Sequence, residues 1–285
     1  MFKRQTSGSV VCPSCGRLVG VQEEACPHCG RPQPGLWGFS RTFQNLSQVI
    51  GFNQLIIGGC VVLYLLTLVT DPSGIQMGGM LSMLQPSGES MFLFGASGAV
   101  PVFGYGRWWT VLSASWLHGG LLHILFNMLW VRQLAPATSQ LYGPGRMMLI
   151  YLGAGATGFL LSSVAGAYLG FLPPFLRGAH LTIGASASIF GLLGALVHYG
   201  RRAGGSAVGQ QAWTWALVLG FFGFVMPGVD NFAHLGGFLG GYGLALWLDP
   251  LKPEKVEHLV AALIGLALSL AAVILSVMRG LPLQG

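Results

Sequence analysis

Charge is what this sequence has least of. Fourteen lysines and arginines and eight aspartates and glutamates amount to 8% of 285 residues, against about 25% in an ordinary soluble domain. So little charge cannot cover a water-facing surface. The acids are also confined. Glu23, Glu24, Asp71, Glu89, Asp230, Asp249, Glu254 and Glu257 are all expected in loops or in the N-terminal segment, and none at the centre of an apolar run. Ion-coupled carriers place carboxylates at membrane depth, so a transporter is the less favoured alternative. No HExxH motif and no paired aspartates occur, which argues against an intramembrane metalloprotease. No apolar run follows Lys3 and Arg4, so no cleavable signal peptide is expected. Cysteine is scarce too: there are five, and four of them fall between residues 12 and 29.

Apolar residues make up 53% of the chain, and 45 residues are glycine. The apolar residues come in blocks approaching the roughly 20 needed to cross a bilayer as a helix. Small residues let such helices approach closely where lipid supplies no hydrophobic drive. The fold class expected is an all-α polytopic membrane protein. Seven spans are expected, near 52–70, 108–131, 147–169, 184–200, 212–226, 232–248 and 259–278. The chain divides into a polar module at 1–35, a linker at 36–50, a transmembrane core at 51–250 and a further C-terminal part at 251–285. If the N-terminus lies in the cytosol, eleven of the fourteen lysines and arginines fall inside, and only Arg107, Arg177 and Arg279 fall outside. Cytosolic loops carry that excess. The expectation is therefore an integral protein, in the cell membrane, with a cytosolic N-terminus and an external C-terminus.

Cys12-Pro-Ser-Cys15-Gly and Cys26-Pro-His-Cys29-Gly are two CxxC turns, each followed by glycine. Two such turns supply four thiolates, enough for a closed tetrahedral zinc site of the structural kind. Disulfides are disfavoured in the cytosol, and a redox motif needs only one pair. His28, between two ligands, is not expected to be one. Cys60, in the first span, reads as a small buried hydrophobe. The 1–35 module resembles a zinc ribbon; no nucleic-acid partner is expected, and the ribbon's own partner is left open.

Polar residues at membrane depth default to functional hypotheses. His118 is followed by His123 and Asn127, which share a helical face four residues apart. All three are expected to line an approach to water, with His118 shaping its external mouth. The fourth span opens Gly184-Ala185-Ser186-Ala187-Ser188-Ile189-Phe190. The sixth reads Asn231-Phe232-Ala233-His234-Leu235-Gly236-Gly237 and continues to Gly240 and Gly241. Taken singly, each has a plainer reading: a serine bonded back to its own helix, an interhelical histidine, a packing motif. Together, small faces on spans four and six would bring Ser186 and His234 side by side near the outer ends of their helices. That arrangement suits a serine nucleophile and its base.

These motifs, with Arg107-Trp108-Trp109-Thr110 before the second span, resemble the signatures of the rhomboid intramembrane serine proteases over roughly residues 50–250. The resemblance implies a six-helix core plus one extra helix, and cleavage of transmembrane substrates by a Ser–His dyad without a carboxylate. It implies Ser186 as nucleophile, His234 as base and then acid, and His123 and Asn127 as oxyanion donors with the Ser186 N–H. Gly184 and Phe190 would shape the site, Phe190 against the His234 ring. No catalytic cofactor is implied; the partners are transmembrane substrates and the bilayer. An inactive relative acting as chaperone or scaffold is the alternative. Asp230, four residues before His234, is expected to cap its helix rather than orient the base. Two departures stand out: Ala187 replaces a usual glycine, and the family's usual glutamate a few residues before Gly143 is absent, with Ser139 near that point. The second bears on how the cytosolic loop is anchored, not on catalysis.

Overall fold

The computed structural model describes residues 4–40, 51–79, 82–173 and 177–280. The 41–50 part of the expected linker, Arg41 among it, and the last five residues lie outside them. The described chain is mostly helical. A small N-terminal module carries strands β1 (Ser9–Val11) and β2 (Leu18–Gly20), paired antiparallel. The helices follow as α1 (Phe52–Thr70), α2 (Gly88–Phe94), α3 (Thr110–Ser113), α4 (Leu121–Tyr142), α5 (Pro144–Tyr168), α6 (Ser186–Arg202), α7 (Ala207–Val225), α8 (Asn231–Trp247) and α9 (Val256–Gly280).

Six of the seven expected spans lie within about five residues of α1, α5, α6, α7, α8 and α9. The second does not. Instead of one helix from 108, the chain makes the short α3, a 3-10 turn at Ala114–Trp116 and an extended residue at Leu117. Gly119-Gly120 then separates this stretch from α4, with Gly120 at φ 156°. Glycine adopts such angles without steric cost and so breaks a helix that apolarity alone would have continued. His118 therefore precedes α4 and does not share its face. Glu89 and Glu257, expected in loops, sit in the first turns of α2 and α9, where the helix dipole favours a carboxylate.

Three described helices, α1, α5 and α9, are long and apolar enough to cross a membrane. The others fall short for visible reasons. The α4 helix carries His123, Asn127 and Arg132, α7 begins with Gln210 and Gln211 near its start, and α6 and α8 have 17 residues each. Apolar side chains nonetheless face outward: Leu217, Val218, Phe221 and Phe224 on α7 are exposed, as are Val62 and Leu65 on α1 and Leu270 on α9. Such faces suit lipid and not water. The chain is an integral membrane protein with α6 at its centre.

Glycine sets the packing around α6. A Cβ on Gly237 would overlap the backbone of Ala187, and one on Gly241 the backbone of Gly191. On the neighbouring face of α8, a Cβ on Gly236 would lie 2.9 Å from Gly158 Cα, and one on Gly240 would overlap Thr157. The two interleaved GxxxG patterns thus serve two partners, one facing α6 and the other α5. Close backbone approach is what small residues permit in lipid. Ala187 is completely buried, and a Cβ on Gly158 would lie 2.9 Å from its own. The extra methyl of Ala187 is matched by a glycine opposite.

The loop after α8 anchors the start of α5. Glu254 accepts the Arg146 N–H at 2.7 Å, and its carboxylate abuts Gly143. The Arg146 guanidinium, almost fully buried, donates to the carbonyls of Asp249 (2.5 Å) and Lys252 (2.8 Å). First-turn N–H groups of a helix need an external acceptor, and here a carboxylate from the other end of the core provides it. The glutamate missing before Gly143 leaves this loop anchored all the same.

Candidate active site

Ser186 is the first residue of α6 and His234 stands in the first turn of α8. The glycine contacts that bring the two helices together lie just below, at Ala187–Gly237 and Gly191–Gly241. The outcome is a hydrogen bond between Ser186 Oγ and His234 Nε2 at 2.9 Å. Both residues are half-buried. The His234 ring stacks on Phe190, with centroids 4.2 Å apart and planes 17° from parallel. That contact limits the ring's rotation. His234 Nδ1 has no partner among the described residues.

Asp230 does not supply one. It caps α8, accepting the Ala233 N–H at 3.0 Å on Oδ1 and the Ser162 hydroxyl at 2.5 Å on Oδ2. Ser162 Oγ in turn accepts the Ala179 N–H at 3.2 Å. The carboxylate thus ties α8 to α5 and to the chain entering α6.

His123 and Asn127 face the same place from α4. A Cβ built on Gly184 would lie 2.8 Å from His123 Nε2 and 3.8 Å from Asn127 Nδ2. Gly184, at φ +122° and two residues before Ser186, leaves room that no other residue would. The Gly119 N–H donates to His123 Nδ1 at 3.2 Å. With Nδ1 accepting, a neutral His123 carries its hydrogen on Nε2 and presents a donor toward Gly184. Asn127 is buried, and its Nδ2 has no partner among the described residues. The Ser186 N–H belongs to the first turn of α6, where no preceding turn can accept it. His123 Nε2 and Asn127 Nδ2 thus both face Gly184, two residues before Ser186.

His118 is placed differently from expectation. It is fully buried, its ring edge-on to His123 with centroids 5.2 Å apart, and neither ring nitrogen has a partner among the described residues. It supports His123 from behind and does not open on an external mouth. Ser188 is buried with its hydroxyl 3.3 Å from that of Ser115, away from the pair. Cys60 is buried in the core.

In the N-terminal module the two CxxC turns repeat one geometry. The Cys12 N–H donates to Arg17 O and the Gly16 N–H to Cys12 O; the Cys26 N–H donates to Arg31 O and the Gly30 N–H to Cys26 O. Gly16 and Gly30 take φ of 74° and 71°. The four sulfurs lie within 4.8 Å of one another, with Cys12–Cys29 at 3.8 Å and Cys15–Cys26 at 3.7 Å. A disulfide needs about 2.05 Å, whereas four sulfurs each about 2.3 Å from a central ion lie about 3.8 Å apart. The donor set therefore fits a tetrahedral metal ion. His28 turns away, its Nδ1 3.1 Å from Arg17. The module rests on the core through an Arg31–Glu257 ion pair and through Gly16 against Pro253.

Comparison with known proteins agrees with this architecture. The Rhomboid domain pattern matches residues 105–250. The chain is 32% identical over 185 residues to Rhomboid protease GluP of Bacillus subtilis, covering 64% of this chain and 34% of that one. It is 33% identical over 178 residues to RHOMBOID-like protein 4 of Arabidopsis thaliana, covering 59% and 41%, and likewise 33% over 178 residues to RHOMBOID-like protein 7 of the same plant, covering 59% and 52%. The chain thus spans between a third and about half of the length of these relatives. The bacterial relative is named as a protease, and the plant proteins are named by likeness alone. With its domain matched over half of its length, the chain belongs to the rhomboid family.

Proposed function

We propose that this protein is an intramembrane serine endopeptidase that cleaves transmembrane proteins near the outer face of the membrane. The observation that carries the reading is the 2.9 Å contact between Ser186 Oγ and His234 Nε2, with His123 Nε2 and Asn127 Nδ2 turned toward Gly184, two residues before the serine. His234 Nε2 takes the hydroxyl proton as Ser186 Oγ bonds to the scissile carbonyl carbon. The carbonyl oxygen gains the charge, and the Asn127, His123 and Ser186 donors stabilise it, the term that usually contributes most. The C–N bond then breaks and His234 returns the proton to the departing amine. Water attacks the acyl-enzyme with His234 again as base, and Ser186 is released. The ring is oriented by stacking on Phe190 and not by a carboxylate.

The four cysteines would hold a structural zinc ion, which supplies folding free energy to a module of few residues and takes no part in the chemistry. The distribution of lysine and arginine supports a cytosolic N-terminus and an external C-terminus, which puts the Ser186 end of α6 outside. Cleavage would then fall in the outer part of a substrate helix, after a small residue, where unwinding is least costly: Gly is about 1 kcal/mol poorer than Ala within a helix. The test is incubation of the protein in proteoliposomes with single-span substrates, beside Ser186→Ala and His234→Ala. Cleavage by the wild type alone, with products cut near the external end, supports the reading. A folded wild type that cleaves none of them and whose Ser186 resists a fluorophosphonate overturns it.

A further inference from the structure

The α9 helix lies beyond the matched domain, yet it grips the segment that leads into the site. Trp109, buried, donates its indole N–H to Ser276 Oγ at 3.0 Å. Arg107, also buried, donates from Nη2 to the Ser276 carbonyl at 2.9 Å, with its guanidinium 4.3 Å above the Phe92 ring. Nη2 also lies 3.5 Å from the Leu93 carbonyl, and Arg107 Nε and Nη1 have no partner among the described residues, so the two carbonyls and the ring are what hold the cation. Arg279, one turn on, lies 5.1 Å over the Trp109 ring. Ser276 is completely buried. A Cβ on Gly95 would come within 2.7 Å of its hydroxyl, and one on Gly280 within 2.6 Å of Leu93. The contact is tight on both sides.

From this clamp the connections run without a gap to the serine. Thr110 Oγ1 donates to the Arg107 carbonyl at 2.7 Å, and Ser113 Oγ donates to the Gly95 carbonyl at 2.7 Å. One residue on, the Ala114 carbonyl accepts the Gly184 N–H at 2.9 Å. Ser97 and Thr182 exchange two backbone bonds, at 3.0 and 2.8 Å. Gly184 is the residue against which His123 and Asn127 are aimed. The position of the Arg107–Ala114 segment thus sets the position of the segment that delivers Ser186.

We propose that Ser276 is a positioning residue for the active site: through Trp109 and Arg107, the C-terminal helix holds the Arg107–Ala114 segment in register with Gly184 and Ser186. This rests on the reading of Ser186 and His234 as the reacting pair. Removing the hydroxyl leaves a buried indole N–H without an acceptor, which costs more than the bond itself contributes. The segment then relaxes toward another partner and takes Gly184 with it.

The test compares Ser276→Ala and Ser276→Thr with the wild type in proteoliposomes, by turnover of a single-span substrate and by hydrogen exchange of peptides covering 107–116 and 178–186. For Ser276→Ala we expect kcat to fall about tenfold with KM little changed, since a misplacement of about 1 Å at a reacting group costs up to roughly a hundredfold. Both peptides should exchange faster while those of α1 and α7 do not, and Ser276→Thr, which keeps the hydroxyl, should recover most of the loss. The proposal is overturned if Ser276→Ala turns over like the wild type, or if its loss is matched by a lower yield of folded protein with normal kcat per folded molecule. Should the wild type itself cleave nothing, the protease reading fails separately. Exchange then decides the clamp, and unchanged exchange at 178–186 in Ser276→Ala sinks it.

Discussion

Asp230 stands one helical turn before His234, and its carboxylate is turned away from it: both oxygens are engaged, one by the Ala233 N–H and the other by the Ser162 hydroxyl. His234 Nδ1 is left without a partner among the described residues. The His234 ring is held by Phe190 beneath it and by the helix it belongs to.

Asp230→Asn should therefore leave kcat within about threefold of the wild type, whereas the same change in a soluble Ser–His–Asp triad costs roughly 10⁴. Asparagine still accepts the Ala233 N–H and still caps the helix. Asp230→Ala removes the cap and should cost about 1 kcal/mol of stability, read as a lower melting temperature. A fall in kcat of several orders of magnitude in Asp230→Asn, with folding intact, would show that the carboxylate reaches the imidazole during turnover.

Asn127→Ala should lower kcat by about 10²–10³, the usual cost of one oxyanion donor, with KM little changed. The Nδ2 hydrogens have no acceptor among the described residues, so truncating the side chain removes a donor without breaking a bond that holds the fold. Thermal unfolding of the variant should stay close to the wild type. A variant that turns over normally would remove Asn127 from the site and leave His123 and the Ser186 N–H as its donors.

Much of this was legible in the sequence, and the reason is physical. In lipid, close helix approach needs small residues at fixed spacing, so Gly236, Gly237, Gly240 and Gly241 announce a packed helix, and a histidine in its first turn marks a candidate site. What the spacing did not say is which glycine faces which neighbour; Gly237 and Gly241 face α6, while Gly236 and Gly240 face α5. The second span was misplaced because hydropathy runs unbroken through Trp108–Leu117, and only the backbone freedom of Gly119-Gly120 separates that stretch from α4. The same error put His118 on the face of His123. The anchor at Glu254 was illegible for another reason. It is 108 residues from Arg146, and no local pattern links a loop glutamate to a helix start that far away. The clamp at Ser276 is hidden in the same way: it is one of two serines in an apolar helix, and taken alone it reads as a back-bonded hydroxyl.

Gly237→Ala and Gly243→Ala make a matched pair. A methyl on Gly237 would overlap the Ala187 backbone next to Ser186, whereas one on Gly243 meets nothing within 4 Å. Gly237→Ala should destabilise by roughly 1–3 kcal/mol, the range for overpacking a filled core, and should lower cleavage further by forcing α8 away from α6. Gly243→Ala should be neutral or slightly stabilising, because alanine forms helix better than glycine. Thermal unfolding and turnover of both variants read the difference. Equal behaviour would mean that α6 and α8 do not approach as closely as the Ser186–His234 contact requires.

The cysteine module offers a test that does not depend on cleavage. Its sulfurs are 3.7–3.8 Å apart in the two pairs, too far for disulfides and right for a shared ion. Its buried apolar cluster is small: Val10, Val19 and Val21 with Cys12 and Cys26. A core of that size cannot offset the conformational entropy of the module, so the ion would supply the balance. One zinc per chain is expected by metal analysis of the purified protein, and Cys12→Ser with Cys26→Ser should abolish it. The spans bury their glycine faces against one another and not against the module. Its contacts with the core, the Arg31–Glu257 pair and Gly16 on Pro253, are peripheral. The double variant should therefore unfold residues 9–31, as seen by proteolysis, while the core keeps its melting temperature and Ser186 its reactivity. Two disulfides found by mass spectrometry in place of zinc would reverse both the metal assignment and the cytosolic placement of the N-terminus, because thiols stay reduced on that side of the membrane.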